Sequence, residues 1–164
     1  MKWTSKCGRY TISISESCLY KILEIAKKNY PLESGTSLIG CYSSDGFDAY
    51  ILDITPLTND SKKYNRAFVR GIKGLRAFFN KLRKTYKGEK YYIGEWHSHP
   101  DGVPVPSDVD DKNQEAIAAD NNTNCPEVIL LIIGNNLLKN PLLAAYVYSR
   151  MKGRITLFPD EVIK

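Results

Sequence analysis

Val128–Ile133 reads VILLII, six aliphatic residues in a row and the longest purely aliphatic run in the chain. It is far too short to cross a bilayer, and an unbroken apolar run of this length suits a buried strand. Leu142–Tyr148 continues the pattern after a connection that holds Asn135–Asn136 and Asn140–Pro141, and Ile155–Phe158 is a short last candidate. Upstream, Tyr10–Ile14 alternates in a β-prone pattern. Thr36–Tyr42 and Phe47–Ile54 flank the turn Ser43-Ser44-Asp45-Gly46 as a hairpin, and Tyr91–Trp96 is a further strand.

Helical periodicity interrupts these strands. Ser13, Ser15 and Ser17 with Glu16 mark a helix start, and Leu19, Ile22, Leu23 and Ala26 recur at helical spacing as far as Asn29, with Pro31 as a stop. A second helix carries Ile72, Leu75, Phe79, Leu82 and Tyr86 on one face with lysines and arginines opposite, and ends at Gly88. Ser107 is a good N-cap for a third, Asp108 to Ala119, whose early aspartates favour its positive end. Pro56–Arg66 reads as a polar loop. The expected class is α+β, a mixed and mostly antiparallel sheet flanked by helices. With 164 residues, one domain spanning 1–164 is expected, long enough to bury a real core.

The first residues, MKWTSKCGRY, lack the apolar stretch of a secretory signal, so a cytoplasmic protein without a membrane partner is expected. Cys7, Cys18, Cys41 and Cys125 form no CxxC pair, which excludes a zinc ribbon and leaves four reduced, small, buried apolar residues. The net charge of +5 comes largely from Lys62, Lys63, Arg66, Arg70 and the stretch Lys73–Lys87. No stacking or recognition-helix module accompanies it, so no specific nucleic-acid binding is expected. The charge is a solvated helix face that can guide an acidic protein partner.

Both histidines of the chain fall in GEWHSHPDGVPVPSDVD, Gly94–Asp110. Residues two apart on a strand share a face, so His97 and His99 can address one metal ion. Neutral imidazoles suit Zn²⁺, but a catalytic zinc takes a third protein ligand and leaves one position for water. Asp101 follows Pro100 too closely to fold back onto the same ion. Ser107 and Asp110 are three apart at a helix start and can both face the strand. Asp110 is therefore the third ligand and Ser107 a hydroxyl beside the water, with Asp108 and Asp111 left to the helix dipole or solvent. The water needs a proton acceptor that is not a ligand. Glu95 is two residues before His97 on the same strand face, and Glu33 in LESGTSLIG sits in a loop that can aim it into a cleft. Spacing does not choose between them.

The pattern Glu33, then His97-Ser98-His99-Pro100, six residues, Ser107, two residues and Asp110 resembles the JAMM motif of the MPN family of metal-dependent deubiquitinase-type domains. The segment Gly35-Thr36-Ser37-Leu38-Ile39-Gly40 after the glutamate is similar to the family's own, and the order of elements matches over nearly the whole chain. The resemblance implies the JAMM/MPN, cytidine-deaminase-like fold and one Zn²⁺ per chain on His97, His99 and Asp110. It also implies Glu33 as general acid/base, and Ser107 steadying the oxyanion. Ser98 falls where the family has serine or threonine. There are two departures from the pattern: Glu95 and Trp96 stand where many members carry two aromatic residues, and Thr36 stands where glycine is usual.

The compact length, FVRGIKGL from Phe68 and GEWHSHPDG look most like the bacterial stand-alone JAMM deconjugases of CBASS-type anti-phage operons. That likeness implies an isopeptidase cutting the amide after an extended C-terminal tail, of a ubiquitin-like protein or of a nucleotidyltransferase conjugate. It further implies an activating or conjugating enzyme encoded nearby. Pro56–Arg66 and Ala119–Pro126 flank the motif and can shape the groove for the tail. A JAMM hydrolase of small peptide or sulfur-carrier substrates and a non-catalytic MPN scaffold are the alternatives. The intact Glu33, His97, His99, Ser107 and Asp110 weigh against the scaffold.

Overall fold

The computed structural model describes residues 1–123 and 125–160; Asn124, inside the loop Ala119–Pro126, and residues 161–164 of the expected domain lie outside the described residues. The strands are β1 (Lys2–Ser5), β2 (Thr11–Ile14), β3 (Gly35–Tyr42), β4 (Asp48–Ile54), β5 (Lys62–Tyr64), β6 (Ala67–Val69), β7 (Tyr91–Ser98), β8 (Glu127–Asn136), β9 (Asn140–Ser149) and β10 (Gly153–Pro159). The helices are α1 (Glu16–Asn29), α2 (Leu75–Thr85) and α3 (Asp108–Ala119). Eight strands close into a ring in the order β1-β10-β9-β8-β7-β3-β4-β2, while β5 and β6 form a separate ribbon. All neighbours in the ring are antiparallel except β2–β4 and β7–β8, so the expected α+β class with a mixed, mostly antiparallel sheet is observed.

The aliphatic run explains itself in β8. Ile129, Leu131 and Ile133 pack in one core cluster with Ile22 and Ala26 of α1. Val128, Leu130 and Ile132 pack in a second with Ala118 of α3, Tyr146 and Tyr148. A strand covered on both faces has no polar side to alternate with, and each buried aliphatic side chain contributes about 1.5–3 kcal/mol. The α1 stripe inserts Cys18, Ile22 and Ala26 into the first cluster, and its N-terminus is capped by the Ser15 hydroxyl, which accepts from the Cys18 N–H at 3.3 Å.

Several expectations are corrected. Lys2–Ser5 is a strand, paired to both β2 and β10, and supplies the link that closes the ring. The supposed loop Pro56–Arg66 contains β5 and, with β6, a hairpin ribbon. The second helix starts at Leu75 rather than Ile72, and Ile72 is 77% exposed. Gly74 precedes it at φ 85°, and the Asp60 carboxylate accepts the Ile72 and Lys73 N–H groups there, so the turn is held before the helix begins. Asn135, Asn136, Asn140 and Pro141 extend β8 and β9 instead of forming the connection. Of the four free cysteines, Cys18 and Cys125 are buried as expected, but Cys41 is only half-buried and Cys7 is exposed in the β1–β2 turn.

Candidate metal centre

Three elements meet at one end of β7. Gly35 of β3 lies opposite His97, and a Cβ there would fall on the Trp96 carbonyl oxygen and against His97 Cβ. Only glycine lets the two strands approach so closely. That approach sets the preceding Ser34 and Glu33 beside the histidine strand. The buried Ser98 hydroxyl accepts the Ser34 N–H at 3.0 Å, and the Ser98 N–H donates to the Ser34 carbonyl at 2.8 Å. From the other side, the Glu33 N–H donates to the Tyr64 carbonyl of β5 at 2.8 Å. The glutamate is thus held between the ribbon and β7.

His97 is the last residue but one of β7, and His99 is fixed by its N–H donating to the Ile133 carbonyl of β8 at 2.7 Å. His99 Nδ1 lies 3.1 Å from the Val103 carbonyl; donating its proton there leaves the Nε2 lone pair for the site. The third contribution comes from the start of α3, where Ser107 and Asp110 form a capping box. Asp110 Oδ2 accepts the Ser107 N–H at 2.8 Å and the Ser107 hydroxyl at 2.6 Å, and Ser107 Oγ accepts the Asp110 N–H at 3.2 Å. Capping the helix and aiming the carboxylate are one act.

The structure brings His97, His99, Asp110, Ser107 and Glu33 together. His97 Nε2 and His99 Nε2 are 2.9 Å apart, His97 Nε2 is 3.4 Å from Asp110 Oδ1, and His99 Nε2 is 3.8 Å from Asp110 Oδ2. Ligand atoms about 2.0–2.1 Å from a tetrahedral zinc stand about 3.3–3.4 Å from each other, a spacing these three distances bracket. Two imidazoles and one carboxylate are also a donor set zinc accepts readily. The residues fit the ion.

Burial pushes the Glu33 carboxyl up to about 7; nearby His97 lowers it and Asp110 raises it. Burial would raise Asp110 as well, but hydrogen bonding and charge from His97, with the Ser107 hydroxyl and amide, hold it below the usual carboxylate range. Burial, with His97 adding to it, lowers the His99 imidazole against the Val103 carbonyl and Asp110. A lowered histidine stays neutral and a lowered carboxylate stays ionised, the forms a metal requires.

The two glutamates are separated by their partners. Glu95 accepts from Arg70 Nη2 at 2.9 Å and from Gln114 Nε2 at 3.2 Å. The Glu33 carboxylate makes no hydrogen bond among the described residues and lines the same groove as His97 and Asp110, a cavity of about 340 Å³ between β6 and α3. Asp101 is outside, accepting the Tyr30 hydroxyl at 2.7 Å. Asp111 sits in the first turn of α3 as expected and in addition binds Arg154 through both oxygens at 2.8 and 3.0 Å and accepts the Tyr148 hydroxyl at 2.5 Å. Sequence reasoning missed Arg70 and Gln114 as groove residues. Arg70 was hidden in the general basic excess; Gln114, one helical turn after Asp110, carried a readable signal.

Residues 15–149 match the family described as prokaryotic homologs of the JAB domain. The chain is 36% identical over 155 residues to a protein of Enterobacter hormaechei subsp. hoffmannii (strain UCI 50) named CD-NTase/cGAS isopeptidase, covering 94% of this chain and 84% of that one. A protein of Pseudomonas aeruginosa (strain BWHPSA011 / Pa011) with the same name is 26% identical, covering 83% of this chain and 85% of its own. The solution structure of protein DSY2949 from Desulfitobacterium hafniense shares the fold, with a TM-score of 0.61, 22% identity and 88% of each chain covered. With its strands, helices and histidine-aspartate cluster in this arrangement, the chain belongs to the prokaryotic JAB-domain family.

Proposed function

We propose that this single-domain chain is a zinc-dependent isopeptidase that hydrolyses the amide after an extended C-terminal tail. The observation that carries this reading is the convergence of His97, His99 and Asp110, their ligand atoms all within 4.8 Å, beside a groove lined by His97, Asp110 and Glu33. The relatives named CD-NTase/cGAS isopeptidase support a nucleotidyltransferase conjugate as the tail-bearing substrate.

His97, His99 and Asp110 would hold one Zn²⁺, which would supply Lewis acidity to the attacking water and the scissile carbonyl. Glu33 accepts the proton of the attacking water at its carboxylate and returns it to the leaving amine nitrogen. Its rise to about 7 suits a group that must both take and give a proton near neutral pH. Ser107 holds Asp110 at rest. When its hydroxyl turns to the developing oxyanion, Asp110 Oδ2 keeps the Ser107 N–H at 2.8 Å, so the helix start stays capped. The ribbon and α3 form the groove walls and exclude water from the bound tail. Glu95, paired to Arg70 and Gln114, is not the base.

The test is turnover of a tail peptide joined by an isopeptide bond to a lysine side chain, with zinc content measured alongside. Cleavage by the zinc-loaded chain that is lost in Glu33→Gln, whose zinc is retained, supports the assignment. An active Glu33→Gln beside a dead Glu95→Gln moves the base to β7.

A further inference from the structure

Three buried side-chain polar atoms among the described residues lack a hydrogen-bond partner, and two of them are Arg70 Nη1 and Gln114 Oε1. Both residues line the groove and both donate to the same Glu95 carboxylate through their other ends. Gln114 is 3% exposed, so its free oxygen is not satisfied by bulk water. Leaving such atoms unpaired is costly, and groups of this kind call for an occupant. Glu95 itself belongs to one of the two departures from the pattern the motif resembles, and the departure comes with a matched donor pair.

Glu95 already neutralises Arg70. What remains is one unpaired N–H donor and one unpaired carbonyl acceptor, buried in a wall of no net charge. A carboxylate arriving there meets Glu95 and the Gln114 oxygen, and an ammonium meets Arg70. A neutral side chain that both accepts and donates, a carboxamide or a hydroxyl, answers both atoms. Glu95 and His97 are two residues apart on β7 and on one face, so they stand about 6.7 Å apart along the groove floor. An extended tail advances about 3.3–3.4 Å per residue. For a tail laid along β7 with its preceding residues toward Glu95, the cluster lies two residues from the carbonyl attacked at His97.

We infer that Arg70 and Gln114, oriented by Glu95, form a specificity subsite. It reads the third residue from the end of the tail and selects a neutral side chain that donates and accepts a hydrogen bond, asparagine, glutamine, serine or threonine. This rests on the isopeptidase reading and deepens it.

The test uses the zinc-loaded full chain and a set of tail peptides amide-linked to a fluorophore, varied only at the third residue from the end: Asn, Gln, Ser, Thr, Ala, Leu, Asp and Lys. The same tails as free acids are titrated for binding. The wild type should prefer the first four over alanine by about tenfold or more in kcat/KM, as one satisfied buried pair implies. Gln114→Met keeps the side chain's length and removes the acceptor together with the donor to Glu95; Arg70→Lys keeps the charge beside Glu95 and removes Nη1. In each variant the Asn-to-Ala ratio should fall towards one, while zinc content and melting temperature report that the chain is folded. Carboxamide and hydroxyl tails are told apart by which of the four leads. A flat wild-type profile, or a ratio unchanged in both variants, means the two atoms hold a trapped water only and overturns the inference. Failure to cleave any tail despite bound zinc sinks the isopeptidase reading instead, and the binding series then still decides the subsite.

Discussion

Glu33→Gln should kill the enzyme and stabilise the metal-free protein. The mutation removes a carboxylate that burial lifts from 4.5 to about 7 and replaces it with a neutral group of the same shape. A carboxyl raised on folding holds its proton more tightly in the folded chain. Its contribution is neutral below pH 4.5, turns unfavourable as pH rises, and reaches its full cost above pH 7. A rise of this size corresponds to at most roughly 3 kcal/mol. Water still reaches the half-buried side chain, which brings the cost to roughly 1–2 kcal/mol. At about 2–4 °C per kcal/mol for a chain of this length, chelator-treated Glu33→Gln should melt roughly 2–8 °C above chelator-treated wild type at pH 8. About a quarter of that difference should remain at pH 5. The zinc-loaded variant should lose about 10²–10⁴-fold in kcat, the usual worth of a positioned general acid/base. Scanning calorimetry at the two pH values and the isopeptide assay read both effects. Equal melting at pH 8, or a difference that grows toward pH 5, would refute the reasoning that burial controls this carboxyl.

Protein purified without added metal should hold close to one zinc per chain by elemental analysis, and His97→Ala should lose most of it, because two remaining ligands make a poor site. Ser98→Ala leaves the Ser34 N–H, now accepted at 3.0 Å, without a partner in a buried position. It should cost about 1–3 kcal/mol in denaturant unfolding and reduce turnover by loosening Glu33; unchanged stability would contradict the clamp. The cations around α2 should give only weak nucleic-acid binding that falls steeply with salt, and tight, sequence-dependent binding at physiological salt in a filter or polarisation assay would overturn that reading.

Much of the site was legible along the chain because its geometry is local. His97 and His99 share a strand end, and Ser107 and Asp110 share one helical turn. The spacing of each pair follows from backbone periods of two and 3.6 residues. The long strands were legible for a similar reason, since burial on both faces of β8 leaves an unbroken aliphatic run. Short elements were not. Lys2–Ser5 and the β5–β6 ribbon have too few residues for any period to register, and each becomes a strand only because a distant partner offers hydrogen bonds, β10 and β2 in one case. Closure of the ring depends on those partners and has no local trace.

The choice between Glu33 and Glu95 marks the limit. By itself the sequence determined that a histidine pair, a helix-capping serine-aspartate pair and a nearby glutamate exist, and resemblance favoured Glu33. Only the tertiary structure gave each glutamate its neighbours. Gly35 allows β3 close enough to β7 for Ser34 and Ser98 to pin Glu33 beside His97. Arg70, 25 residues before Glu95, and Gln114, 19 after it, occupy the other carboxylate. A carboxylate's proton affinity is set by burial and by charges within a few ångströms, and those neighbours come from parts of the chain that meet only when it folds.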